Sequence, residues 1–125
     1  MKKIIETRKA PVPVGPYSQA VEVNGTLFIS GQVPVNPESG KMAGGGIREQ
    51  TEQVMKNIGA ILEAAGYGFE DVVKSTCLLS TMDDFGAMNE VYARYYKENQ
   101  PARAAFAVKS LPLGALVEIE SVAVK

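Results

Sequence analysis

Apolar residues along this chain repeat with two alternating periods, and the switches between them mark out the elements. Val21-Glu22-Val23 and Thr26-Leu27-Phe28-Ile29-Ser30 alternate in the strand manner on either side of Asn24-Gly25, the pair that best tolerates the positive φ values of a tight hairpin turn. Pro34, Pro37, Ser39, Gly40 and Gly44-Gly45-Gly46 then mark a long loop. The period changes after the glycines. Val54, Ile58, Ile61, Leu62 and Ala65 recur at helical spacing, which predicts a helix over 47–65 with Gly66 as its stop. Gly59 inside that helix costs about 1 kcal/mol relative to alanine and is expected to let the helix pack closely on a sheet.

Val72-Val73 and Cys77-Leu78-Leu79 predict a buried strand over 71–80. Thr81 is placed to cap a second helix, with Asp83 and Asp84 in its first turn, Phe85, Met88, Tyr92 and Tyr95 on one side, and Asn99-Gln100-Pro101 at its end. Two final strands are expected over 103–108 and 116–124, separated by a turn at Leu111-Pro112-Leu113-Gly114. The predicted order is strand, hairpin, helix, strand, helix, strand, strand. That order implies an α+β layer, a largely antiparallel or mixed sheet with two helices covering one face. The loop bearing Val12, Pro13, Val14 and Pro16 is a weak candidate for packing on a neighbour.

Composition narrows the chemistry more than the architecture. With 125 residues, 46% hydrophobic and 22% charged, the chain fits one folded domain, residues 1–125. No apolar run approaches the roughly 20 residues that cross a bilayer. Lys2 and Lys3 have no apolar stretch behind them, so a cytoplasmic location is expected. The net charge is −1 with basic residues scattered singly, which argues against a phosphate-backbone partner. There is no histidine and one cysteine, Cys77. These counts exclude an intrachain disulfide, a Cys/His zinc site and histidine-dependent acid–base or nucleophilic catalysis. The triple glycine lacks both the P-loop and the dinucleotide spacing. Any catalysis must therefore draw on carboxylates, Arg, Lys, Tyr, backbone groups and water, and no cofactor is expected.

Few residues stand out as candidates. Arg103 opens a strand among Ala102, Ala104 and Ala105. It reads either as a surface ion-pair partner or as a guanidinium with room beside it for a small carboxylate. Glu118 and Glu120 alternate with Val117, Ile119 and Ser121 and so share a strand face. That face is either solvated or carries a half-buried acid of raised pKa able to accept a proton from water, and position alone does not choose between the two glutamates. Tyr17, in Gly15-Pro16-Tyr17-Ser18-Gln19-Ala20, lines a pocket or anchors a loop. In Ser30-Gly31-Gln32-Val33-Pro34 the glycine permits close approach of backbone N–H groups to a ligand. Cys77 sits among apolar neighbours as an inert core thiol.

Those two strings, with Gln50-Thr51 through Asn57-Ile58, Pro101-Ala102-Arg103, Leu111-Pro112 and Glu118-Ile119-Glu120, occur in an order that resembles the RidA/YjgF family over nearly the whole chain. The Pro-Ala-Arg string followed fifteen residues after its arginine by Glu-Ile-Glu is the most specific part. The resemblance implies a chorismate-mutase-like α+β fold, a homotrimer with ligand sites between subunits, and hydrolysis of 2-iminopropanoate and 2-iminobutanoate to 2-oxo acids and ammonia. It implies that Arg103 binds the carboxylate, that Glu118 positions or activates water, and that Tyr17, Ser30, Gly31 and Asn89 line the cleft, with backbone near Gly31 and Ala105 meeting the substrate. Many bacterial members carry cysteine where this chain has Ala105; the proposed hydrolysis needs no thiol. A 2-oxo-acid sensor without turnover, a chaperone-like holdase and an endoribonuclease are the rival readings.

Overall fold

The hairpin forms as its turn chemistry dictates. In the computed structural model, which describes residues 1–125, Asn24 and Gly25 both take positive φ (48° and 79°), and Val23 pairs with Thr26 across the turn. The strands it joins are β2 (Ala20–Val23) and β3 (Thr26–Gln32); β1 (Lys3–Ile5) pairs antiparallel with β2.

Helix α1 (Ile47–Ala65) has the predicted bounds. It starts where the Glu49 carboxylate accepts the Gly46 N–H at 2.8 Å. It stops where Gly66 turns left-handed (φ 81°), while the Gly66 and Tyr67 N–H groups donate to the Glu63 and Leu62 carbonyls. Val54, Ile58, Ile61 and Leu62 are buried, so the apolar stripe faces the core as its spacing requires. Gly59 does not serve the sheet contact expected of it. A Cβ there would meet the Phe69 ring at 3.1 Å, so the glycine admits an aromatic side chain from the turn after the helix.

Strand β4 (Val72–Leu79) follows, and then the predicted second helix departs from expectation. The Thr81 hydroxyl accepts the Asp83 N–H at 3.2 Å, which caps a 3₁₀ turn over Met82–Asp84. The helix proper, α2, spans only Phe85–Tyr92. Its end tightens into three-residue bonds, Arg94 N–H to Val91 O and Tyr95 N–H to Tyr92 O, well before Asn99-Gln100-Pro101. Aromatic packing explains the early stop: the Tyr95 and Tyr96 rings sit 5.1 and 5.5 Å from that of Phe69, and Tyr92 lies 4.7 Å from Tyr96. Strands β5 (Ala102–Ala107) and β6 (Val117–Val124) complete the chain.

The strand order is β1-β2-β3-β6-β4-β5, a mixed six-stranded sheet. Only β4 and β5 run parallel, as the crossover through α2 requires. Both helices lie on one face of the sheet, as expected. That face carries Leu27, Ile29, Ser75, Cys77, Leu79, Val117, Ile119 and Ala123, all buried in or beside one core cluster with the α1 stripe. The opposite face is uncovered yet not polar. The register lines up Ile4, Val21, Phe28 and Val122 across four strands there, and Ile4, Phe28, Val124 and Phe106 are 43–51% exposed. No helix is long and apolar enough to cross a membrane.

Candidate active site

Arg103 lies on β5, at the edge of the sheet, in register with buried Ser75 and therefore on the helix-covered face. Three α2 residues spaced i, i+4, i+7 meet it there: Phe85, Asn89 and Tyr92. Arg103 Nη1 donates to Asn89 Oδ1 at 2.7 Å. The centre of its guanidinium stands 4.9 Å from the Tyr92 ring and 5.4 Å from the Phe85 ring. The side chain has no carboxylate partner; the two ion pairs in the chain join Arg48 to Glu90 and Arg94 to Glu52. Arg103 is exposed, and with Asn89, Tyr92, Tyr96, Gln100 and Pro101 it borders an open cavity of about 320 Å³. Ala105, two residues on, shares its face opposite Cys77 and packs against the core. Cys77 itself is fully buried, and burial pushes its thiol up to about 11, the inert state expected of it.

Glu118 belongs to a different place. It alternates with buried Val117 and Ile119, so its carboxylate is on the uncovered face, in register with Leu78. It is half-buried and pressed against a break in the β3–β6 pairing between Ile29 and Gln32, where Ser30 and Gly31 bulge. A Cβ on Gly31 would fall 2.2 Å from Glu118 Oε2, so the glycine provides space for the acid; no left-handed backbone requires it. Burial, and after it the negative charge of Glu120, raises the Glu118 carboxyl above the ordinary glutamate value. Glu120 is exposed further along the same face, beside Lys74 and Thr76. The geometry thus distinguishes two glutamates that strand alternation left equivalent.

Tyr17 is half-exposed and, with Gly31, Gln32, Val33 and Leu113 among others, lines a cleft of about 110 Å³ beside the bulge. The Ser30 hydroxyl donates to the Ser18 carbonyl at 2.6 Å, which ties the bulge to the Tyr17 loop. Asn89 joins Arg103, whereas Tyr17, Ser30, Gly31 and Glu118 gather on the other side of the sheet. Within one chain the two groups do not converge: two inter-strand steps, about 10 Å, and the sheet itself lie between them. A larger hollow of about 420 Å³, against Glu6, Thr7, Arg8, Val12, Pro13 and Gln19, touches none of these residues.

Several supporting residues escape a search for reactive groups. Buried Gln19 takes the Thr7 N–H on Oε1 and donates through Nε2 to the Thr7, Ala10 and Pro11 carbonyls, pinning the loop before Tyr17. Asn57 donates to the Val33 and Val35 carbonyls, Gln32 to that of Ser30, and Gln50 accepts the Leu116 N–H just before β6. Asn57 was detectable in principle, because a polar residue beside Ile58 on an apolar helical stripe must find internal partners. Gln19, in the loop before β2, carried no such signal.

The chain is thus an α+β layer with an arginine free of any carboxylate at one sheet edge and a half-buried acid on the bare face, its candidate polar groups lying in two places. Comparison with known proteins makes the class specific. The family model described as Endoribonuclease L-PSP matches residues 7–125. The 2-iminobutanoate/2-iminopropanoate deaminase of Mus musculus is 52% identical over 125 residues, covering 100% of this chain and 93% of its own. A crystal structure from Thermotoga maritima superposes with TM-score 0.98 at 50% identity, covering 100% of this chain and 98% of that one. Escherichia coli TdcF with bound serine does so with TM-score 0.94 at 36% identity, covering 98% of each. The chain belongs to the Endoribonuclease L-PSP family, the RidA/YjgF group.

Proposed function

We propose that this protein is a 2-iminobutanoate/2-iminopropanoate deaminase, which adds water to a small 2-imino acid and releases a 2-oxo acid and ammonia. The observation that carries the reading is a guanidinium with no carboxylate of its own, together with a half-buried acid of raised proton affinity, in a chain 52% identical over its full length to an enzyme of that name.

The chemistry follows from what each group offers. The Arg103 donors left free by Asn89 take the substrate carboxylate and orient the C=N bond. A protonated imine carbon is already electrophilic and needs an aligned water. Glu118 accepts a proton from that water as its oxygen bonds to C2, giving a carbinolamine. Glu118 then returns that proton to the amine and, as the C–N bond breaks, takes the proton of the hydroxyl, so that the oxygen becomes the carbonyl and ammonia leaves, carrying the proton away as ammonium. A carboxyl whose pKa lies above the usual range is suited to both transfers. Tyr17, Ser30 and Gly31 wall the water side, and Asn89 and Ala105 the carboxylate side.

Because Arg103 and Glu118 occupy opposite sheet faces, one complete site needs the two halves from different copies. The apolar uncovered face supports that assembly, since Ile4, Val21, Phe28 and Val122 form a contiguous row of the kind soluble monomers rarely leave bare. We assign it to a cytoplasmic homotrimer with sites between subunits.

Complementation tests both parts. Arg103→Ala and Glu118→Gln chains, each inactive in ammonia release from an imino acid generated in situ, are co-expressed. Random mixing in a cyclic assembly leaves about one site in four with both wild-type halves, so activity returns to roughly that level. Two inactive variants that stay inactive when mixed would place the site within one chain. A wild-type protein that binds 2-oxobutanoate without turnover would instead be a sensor.

A further inference from the structure

We infer that Tyr92 is the positioning residue that fixes the plane of the Arg103 guanidinium, so that the free edge of the guanidinium points at the substrate carboxylate. This rests on the deaminase reading of the site and adds a residue to it.

Asn89 alone cannot set that plane. It holds one nitrogen, Nη1, at 2.7 Å, and a single hydrogen bond leaves the guanidinium free to rotate about it. The missing constraint is supplied by the rings. Tyr92 and Phe85 both lie within cation–π range of the guanidinium carbon, Tyr92 the nearer at 4.9 Å. A guanidinium has its hydrogen-bond donors in its plane and none on its faces. Contact with the two rings therefore limits that rotation, which the single hydrogen bond to Asn89 leaves open.

Of the two rings Tyr92 is the rigid one. Phe85 is half-buried at the start of α2, whereas Tyr92 is 6% exposed and its ring packs 4.7 Å from that of Tyr96. Its phenol enters a buried hydroxyl cluster beneath Arg103. Ser75 and Ser121 are 3.2 Å apart there, and the hydroxyls of Tyr92 and Tyr96 are buried beside Ser75. The tyrosine is therefore clamped by packing, and its function resides in the ring face.

The test separates ring from hydroxyl. Tyr92→Leu keeps apolar bulk but removes the π-face, and Tyr92→Phe keeps the ring. Tyr92→Leu is expected to raise KM for 2-iminobutanoate, and Kd for the product 2-oxobutanoate, about fivefold, the upper end for a cation–π contact to an exposed arginine. Its kcat stays within about threefold, because the carboxylate grip is shared by ground and transition states. Tyr92→Phe restores KM and Kd to within about twofold of wild type, since it keeps the ring. Loss of kcat alone in Tyr92→Leu, unchanged KM and Kd, or failure of Tyr92→Phe to restore them overturns the proposal. A wild type that binds 2-oxobutanoate but lacks turnover defeats the deaminase reading, and the stack is then judged on Kd. A wild type that does neither defeats both.

Discussion

The two halves of the candidate site are built in different ways. Around Arg103 the machinery is side chains: one α2 stripe, Phe85, Asn89 and Tyr92, presents a carbonyl oxygen and two ring faces to a guanidinium. Around Glu118 it is backbone: a bulge at Ser30 and Gly31, a Tyr17 loop tied down by Ser30 and Gln19, and a following loop held by Asn57. A stripe on a helix tolerates graded change, because removing one contact leaves the others in place. A backbone cradle does not, because any added atom moves the group it was shaped around. The carboxylate-binding half should therefore respond to mutation by degrees, and the water-activating half abruptly.

The sharpest break in this comparison comes from the acid itself. Glu118→Gln is expected to lower kcat by about 100- to 10,000-fold, the usual worth of a general base, while calorimetry shows 2-oxobutanoate binding retained. Equal loss of binding and turnover would mean that the two halves are not separable. Next is Gly31→Ala, which adds one carbon at a point 2.2 Å from the Glu118 oxygen. Displacing the acid by about 1 Å is expected to cost on the order of 100-fold in kcat, with Tm little changed. Retained activity would show that the carboxylate has slack.

The smallest effect concerns pH. The Glu120 charge adds to burial in raising the Glu118 carboxyl, so Glu120→Gln removes a like charge and lets Glu118 ionise at lower pH. The acid limb of the kcat/KM profile should move to lower pH with its plateau unchanged. A limb that stays in place would mean that burial alone governs this acid.

Much of this architecture was legible in local pattern, and particular residues show why. Asn24-Gly25 and Gly66 sit where positive φ is required, and the α1 stripe repeats at helical spacing from Val54 to Ala65, so the hairpin and helix bounds follow directly. The second helix reads as longer than it is because Tyr95 suits a helix face as well as it suits the Phe69 cluster. Only a contact between segments distant in sequence decides between them. Gly59 is ambiguous in sequence for the same reason: the ring that fills its space arrives from residue 69.

The alternation of apolar and polar positions, the turn residues and the absence of histidine determined the element order, the covered face and the kinds of chemistry open to this chain, because each acts over a few neighbouring residues. The family strings singled out Arg103 and Glu118 but did not show that the two lie on opposite faces of one sheet, or which glutamate is half-buried. Those outcomes belong to the tertiary structure. Strand order, register and a bulge in β3 set them, and these depend on which distant segments pair, a choice that no local pattern contains.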